Sequence, residues 1–318
     1  MIECKKTRKQ VIAMIYSLNN EKLVEDSIDN INSEERSFVA VITYEQLKKY
    51  AEKLFINEKI LFDCLNGKTT KFESYEGFDY LSLKIPKVFD VLKPSKRVCI
   101  YIRKKLLVFS CDNFQMVDEL ILKINSEEIK CSTLSKMLYI FFDKLTYDDT
   151  NYLEKLEYEI TDLEEGLITL KNDNYLKKII VLRKKLLKLK RYYERLINIA
   201  ELIEENENGL IDKKTIKYFK MLTNRINRLY QVVNNLRDYV TQVREAYQAQ
   251  VDISQNQLMK LFTVVTTIFL PLTLIVGWYG MNFQMPEYNW TYGYPFVILI
   301  SICIIGICIF WFKKKKWL

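Results

Sequence analysis

Two stretches of this chain carry no charge. Residues 261–286 and 288–312 contain no Asp, Glu, Lys or Arg, and only Glu287 separates them. About 20 apolar residues in a helix cross the hydrocarbon core of a bilayer. The sequence therefore predicts two transmembrane helices, at 261–281 and 295–312. Two buried core helices are the alternative, but long uncharged runs in tandem are rare in soluble folds. Lys260 precedes the first span, and Lys313, Lys314, Lys315 and Lys316 follow the second. The segment between the spans has no Lys or Arg. By the positive-inside rule both chain ends face the cytoplasm. Met1 is not followed by an apolar signal segment, so residues 1–260 are expected to stay in the cytosol. The expected location is the cell membrane, with membrane lipid as a partner.

The cytosolic part divides by pattern. Residues 1–130 read as an α/β domain. "SFVAVITY" (37–44) is β-rich, and "VCIYIRKKLLVFS" (98–110) reads as a hairpin turning at Arg103, Lys104 and Lys105. "YEQLKKYAEKLF" and "NFQMVDELILKI" have helical periodicity. Residues 131–210 read as a helical hairpin, an acidic helix and a basic helix joined by "NDN" at 172–174, whose faces are expected to pair. Nucleic acid is a weaker reading of the basic run Lys184–Arg191, because the acidic helix already offers a partner and leucines recur at helical spacing. "ENENG" (205–209) breaks the hairpin, and Asp212 can cap a new helix. From there to Asn282 only Pro271 opposes continuation. At about 1.5 Å per residue that is about 107 Å of helix. A stalk helix at 211–282 thus runs into the first span, followed by an external loop at 283–294 and a basic tail at 313–318. The fold class is an α+β membrane protein, and a helix so long calls for lateral partners, hence an oligomer.

The first span has a second pattern. Asn256, Met259, Thr263, Thr266, Leu270, Thr273, Gly277 and Gly280 advance by alternating three and four residues and share one face. The other faces hold Leu261, Val264, Val265, Ile268, Leu272, Ile275 and Val276. Thr267 lies off the seam, so the pattern is imperfect. A small and polar seam fits close helix packing or a pore lining, and periodicity alone leaves both open. The seam has no carboxylate and no lysine, and its outer end leads to the amide of Asn282. Neutral oxygens suit hard cations but do not readily strip the water shell from Mg2+. They would instead hydrogen-bond a hydrated ion. A potential of 100 mV supplies about 2.3 kcal/mol per charge, roughly 4.6 for a divalent ion, and no G-x-x-x-x-G-K-[ST] segment is present to power a pump.

Other chemistry is thin. The chain has no histidine, the commonest general base and transition-metal ligand. Its seven cysteines, Cys4, Cys64, Cys99, Cys111, Cys131, Cys303 and Cys308, show no C-x-x-C spacing and read as reduced, structural thiols. A membrane-anchored enzyme would need carboxylates such as Asp148 and Asp149, but "YDDT" reads as a solvated helix start. The chain is therefore read as no enzyme. A two-span sensor or scaffold with a cytosolic partner is a further alternative.

Tyr279, Gly280, Met281 and Asn282 match the Y-G-M-N signature of the CorA family of magnesium channels, which this chain resembles. The match continues through "NQLMKLFTVVTTIFLPLTLIVGWYGMNFQMPE", "YGYP" and "KKKKWL". The resemblance implies a homopentamer with first spans around a pore, second spans outside, and a cytoplasmic funnel. It implies pore positions at Asn256, Met259, Phe262, Leu270 and Thr273, and a selectivity motif at Gly280, Met281 and Asn282, with Asn282 holding the hydrated ion. Phe262 is one step off the seam and stands where the family usually has a smaller aliphatic residue, which would narrow the gate. The implied substrate is Mg2+, with Co2+ and Ni2+. A related group moves zinc, and the absence of histidine argues against so borderline a metal. Gln284 has no role beyond a loop amide, while Pro286 and Glu287 belong to the loop, where Glu287 would concentrate cations. The family also implies an acidic Mg2+ sensor on the stalk. Here that position is Met221, Asn224 replaces a second acid, and no Asp or Glu occurs from Lys213 to Arg237. Either carboxylates of the neighbouring α/β domain replace the site or closure does not depend on metal at this height, and the second is the expectation.

Overall fold

The computed structural model describes residues 13–19, 21–33, 36–87, 90–112, 115–167, 174–283, 285 and 290–317. Cys4, Asn172, Asp173, Gln284, Pro286 and Glu287 lie outside the described residues. Two units are present, Met1–Gln242 and Val243–Leu318.

The first unit is built on a seven-stranded sheet. Its elements in chain order are β1 (Met14–Asn19), β2 (Lys22–Asp26), β3 (Ser37–Ile42), α1 (Tyr44–Tyr50), α2 (Glu58–Asn66), β4 (Lys71–Tyr75), β5 (Phe78–Ile85), β6 (Lys96–Arg103), β7 (Leu106–Cys111), α3 (Gln115–Asn125), α4 (Leu134–Leu145), α5 (Asp149–Leu167) and α6 (Tyr175–Glu205). The strand order is β2-β1-β3-β7-β6-β5-β4. β3 and β7 pair in parallel, and the other neighbours are antiparallel. Phe38–Ile42 of β3 is buried throughout, as an unbroken apolar strand covered on both faces should be. β6 and β7 form the expected hairpin. Arg103 pairs with Leu106, so the turn is Lys104–Lys105 and Arg103 still belongs to the ladder. Phe38, Ala40, Ile42, Tyr80, Cys99, Tyr101, Leu106 and Val108 cluster with Leu47 of α1 and Ile60 of α2. A capping box starts α1, with Gln46 N–H donating to Thr43 Oγ1 at 3.2 Å and Thr43 N–H donating to Gln46 Oε1 at 3.0 Å. On the other face Phe109 meets Phe141 of α4, ring centroids 5.2 Å apart.

The acidic α5 and basic α6 form mainly through apolar registers. Leu153, Leu156, Ile160 and Leu163 are buried, as are Leu182, Leu186 and Leu189. Tyr175 Oη donates to the Leu163 carbonyl at 2.9 Å. Between these two helices the described ion pair is Lys185 with Glu159 at 2.9 Å. A partly exposed pair contributes at most about 1 kcal/mol, so leucine packing holds the hairpin more than charge does. Asp149 corrects the solvated-start reading of "YDDT". Asp148 is exposed, but Asp149 is buried and accepts a hydrogen bond from Tyr193 Oη of α6 at 2.9 Å. Burial pushes its carboxyl up to about 6, against the lowering effect of Tyr193.

α7 (Lys213–Tyr279) is one helix of 67 residues that passes through Pro271. Asp212 caps it, accepting from Thr215 N–H at 2.8 Å and from Thr215 Oγ1 at 2.8 Å. The same carboxylate accepts from Thr133 Oγ1 at 3.1 Å and from Ser135 Oγ at the start of α4. Partial burial opposes its ionisation, but the bonds from Ser135, Thr215 and Thr133 hold it at about 2. Asp212→Ala is expected to cost about 1 kcal/mol of cap stability, read as a lower melting temperature of the purified protein. The sign with pH is fixed. The carboxylate's contribution is complete above its unfolded value of about 3.9 and is lost as pH falls towards 2. The gap between wild type and variant should close over that window.

Candidate pore-lining face and outer mouth

The second unit contains the end of α7 and α8 (Gly293–Lys314), which among the described residues are the two helices long and apolar enough to cross a membrane. Branched and aromatic side chains fill both segments, so intrahelical hydrogen bonding is what satisfies the backbone there.

One side of α7 is covered and the other is open. Val264 is buried, while Ile268, Leu272, Ile275 and Tyr279 are half-buried. Ile275 and Tyr279 share a cavity of about 600 Å³ with Gly293, Phe296 and Val297 of α8. At about 3.6 residues per turn, these covered positions centre about half a turn from the seam. Asn256, Met259, Thr263, Thr266, Leu270, Thr273 and Gly277 are all exposed. Thr266, Leu270, Thr273 and Gly277 line an open groove of about 820 Å³ with Phe269 and Trp278. Phe262 is also exposed. It lies about 160° from Val264, so it stands on the open side although it breaks the repeat. A side chain at Gly277 would meet nothing within 4 Å. Nothing among the described residues demands a glycine there.

The seam threonines share one arrangement. Thr263 Oγ1 donates to the Met259 carbonyl at 2.8 Å, Thr266 to Phe262 at 2.7 Å, and Thr273 to Phe269 at 2.8 Å. Each hydroxyl proton is committed one turn back along the same helix, a common habit of threonine in helices. What remains outward is oxygen lone pairs and a methyl group.

α7 ends in a tight turn. Gly280 N–H donates to the Val276 carbonyl at 2.9 Å, and Met281 N–H to the Trp278 carbonyl at 3.3 Å. A Cβ on Gly280 would stand 2.9 Å from that Val276 carbonyl, which explains the glycine. Asn282 follows outside the helix, is exposed, and its amide makes no hydrogen bond among the described residues. Trp290 packs on Phe296 at 5.4 Å between ring centroids, and Tyr292 and Tyr294 are exposed at the start of α8. Aromatic residues of this kind favour the membrane–water interface. At the far end Lys313 and Lys314 close the last turn of α8, Lys315 Nζ sits 4.3 Å from the Trp311 ring centroid, and Trp317 stacks on buried Phe312 at 5.8 Å. Lys316 has a left-handed backbone, φ 53°, which ends the helix.

In the first unit α7 carries an exposed stripe of Lys217, Met221, Asn224 and Arg228. Arg225 beside it reaches Asp143 Oδ1 at 2.8 Å and Thr146 Oγ1 at 2.7 Å, tying α7 to α4. Sequence reading missed this tether, because Arg225 and Asp143 sit far apart in the chain and neither belongs to a motif. Among the described residues no three His, Cys, Asp or Glu side chains gather as a metal site.

A family model described as CorA-like Mg2+ transporter protein matches residues 42–314. The cobalt/magnesium transport protein CorA of Thermotoga maritima is 31% identical over 280 residues, covering 86% of this chain and 80% of that protein. The protein of the same description from Methanocaldococcus jannaschii is 25% identical over 318 residues, covering 97% of this chain and 100% of that protein. The complete structure of the CorA magnesium transporter from Methanocaldococcus jannaschii superposes with a TM-score of 0.80 at 24% identity, covering 98% of this chain and 100% of that one.

Proposed function

This chain belongs to the CorA-like Mg2+ transporter family, a family of membrane transporters of divalent cations and not of enzymes, and from that premise we propose that it conducts Mg2+ into the cell through a homopentameric pore. Co2+ and Ni2+ would follow as hydrated divalent ions of similar size. The observation that carries the reading is the seam of α7, open on the side away from α8 and leading to the exposed amide of Asn282, which has no partner among the described residues.

In this reading five copies of α7 turn their seams inward and α8 lies outside. Gly280, Met281 and Asn282 form the outer mouth, where five amide oxygens accept hydrogen bonds from the water shell of the ion. That spares the cost of dehydrating Mg2+. Thr263, Thr266 and Thr273 offer further acceptor oxygens down the wall. Met259, Phe262 and Leu270 form apolar rings that close the conduit by dewetting, and Asn256 lies at the cytosolic end. Gly277 keeps the wall wide. The basic residues Lys313–Lys316 face the cytoplasm, in keeping with the charge rule. The inward potential supplies the work, roughly 4.6 kcal/mol per divalent ion at 100 mV. The exposed stripe through Met221 and Asn224 presents a thioether and an amide among cations, so we place no inhibitory Mg2+ there.

Uptake into proteoliposomes under an imposed inside-negative potential tests the assignment. Mg2+, Co2+ and Ni2+ should enter faster than in protein-free vesicles, and uptake should rise with the potential. Zn2+ entry without Mg2+ entry would overturn the choice of ion while leaving cation transport standing. No potential-driven flux of any of the four would overturn the pore.

A further inference from the structure

One buried cluster has no part in ion conduction. Cys64 at the end of α2 and Cys99 on β6 are 3% and 2% exposed. They come from separate elements and meet on the helix-covered face of the sheet around Tyr80. Cys64 Sγ donates to Tyr80 Oη at 3.7 Å, and Tyr80 Oη donates to Cys99 Sγ at 3.5 Å. One phenol oxygen thus bridges the two sulfurs. Ser82 Oγ lies 3.9 Å from Cys99 Sγ, and Tyr44 Oη donates to the same sulfur at 3.9 Å. Arg97 holds this corner together. Its guanidinium donates to the Cys64 and Gly67 carbonyls at the end of α2 and, through Nε, to Tyr44 Oη at 3.3 Å.

The surroundings treat the two sulfurs differently. The hydrogen bond from Cys64 leads, outweighing burial, and with Tyr80, Arg97 and Ser82 it brings the Cys99 thiol down to about 6. Cys64 is pushed well above the ordinary thiol range by that same bond and by burial. A thiolate and a protonated thiol held on the same phenol oxygen are placed as an attacking sulfur and a resolving one. Cys131 is the internal contrast. It is equally buried, and burial raises its thiol to about 11.

We propose that Cys64 and Cys99 form an oxidation site that converts to a disulfide on reaction with hydrogen peroxide. The Cys99 thiolate attacks one peroxide oxygen, the O–O bond breaks, and the leaving hydroxide takes a proton to become water. Cys99 is then a sulfenic acid. Cys64 sulfur attacks Cys99 sulfur, the S–O bond breaks, and the departing hydroxide takes the Cys64 proton. Two thiols and one peroxide become one disulfide and two waters, each sulfur losing one electron and each peroxide oxygen gaining one. The bridge staples the end of α2 to β6. Tyr44 and Arg97, which bond to this corner, are both half-buried.

The test uses the full-length protein in lipid nanodiscs, treated with hydrogen peroxide, quenched, alkylated and mapped by mass spectrometry. A Cys64–Cys99 bridged peptide, reversed by dithiothreitol, should appear at least about tenfold faster than Cys131 loses its thiol. In Cys64→Ser the reaction should stop at a Cys99 sulfenic acid that dimedone captures. Cys64 and Cys99 both still alkylating as free thiols after Cys131 has oxidised would overturn the proposal. So would a folded Cys64→Ser protein giving no dimedone adduct at Cys99. The wild-type peptide map needs no substitution and decides the matter alone should Cys64→Ser fail to fold.

Discussion

Asn282→Ala lowers Mg2+ uptake by about a hundredfold or more and leaves the assembled protein intact. The asymmetry follows from where Asn282 sits. Its side chain is exposed and bonds to nothing among the described residues, so its removal takes no packing with it. A hydrogen bond to an ionic partner contributes about 1.5–3 kcal/mol, and the first-shell waters of Mg2+ are strongly polarised donors. Losing about 2.7 kcal/mol of such stabilisation at the mouth is a hundredfold in rate. Size-exclusion chromatography of the variant in detergent should match wild type, while Mg2+ flux into proteoliposomes falls. Wild-type flux would remove Asn282 from the selectivity site and leave the glycine turn as a structural device only.

Leu270→Asn raises the leak through the closed protein by about tenfold, which needs a barrier only about 1.4 kcal/mol lower. Leu270 is 63% exposed in the single chain and lies on the seam between Thr266 and Thr273. In a pentamer it contributes five isobutyl groups to one ring, and a ring of that kind excludes water by dewetting. An amide of similar size at the same place keeps the volume and admits water. Single-channel recording of basal openings is the measurement. An unchanged closed-state leak would move the gate towards Phe262 or Met259.

The features legible in the sequence are those whose cause is local. Two uncharged runs mark α8 and the end of α7, because a bilayer acts on every residue of a span. Asp212 reads as a helix cap because its partner, Thr215, is three residues away. The β6–β7 hairpin reads from its alternating apolar residues around two lysines. Distant pairings do not read in this way. β3 joins β7 in parallel across more than sixty residues of intervening chain, and no single segment carries that information. β2 and β4, five residues each and with charged positions, pass for loops. Asp149 looks like half of a solvated acid pair until Tyr193 of α6 folds over it. The opposite charges of α5 and α6 do pair, at Lys185 and Glu159, but the buried leucines that do most of the holding carry no such signal. For the seam, periodicity left packing and pore lining open. Its exposure on the side away from α8 is the added information.

The committed threonine protons have a consequence for the sign of the charge that passes. A hydroxyl facing water can donate or accept, and so serves chloride as readily as a cation's water shell. Thr263, Thr266 and Thr273 have spent their donors on the helix backbone. On the proposed pore wall they are acceptors only, and an anion meets no partner there. Discrimination of that kind comes from hydrogen-bond polarity and needs no fixed charge. It is therefore indifferent to ionic strength, which would screen a ring of carboxylates, and to pH, since a threonine hydroxyl does not titrate in the physiological range.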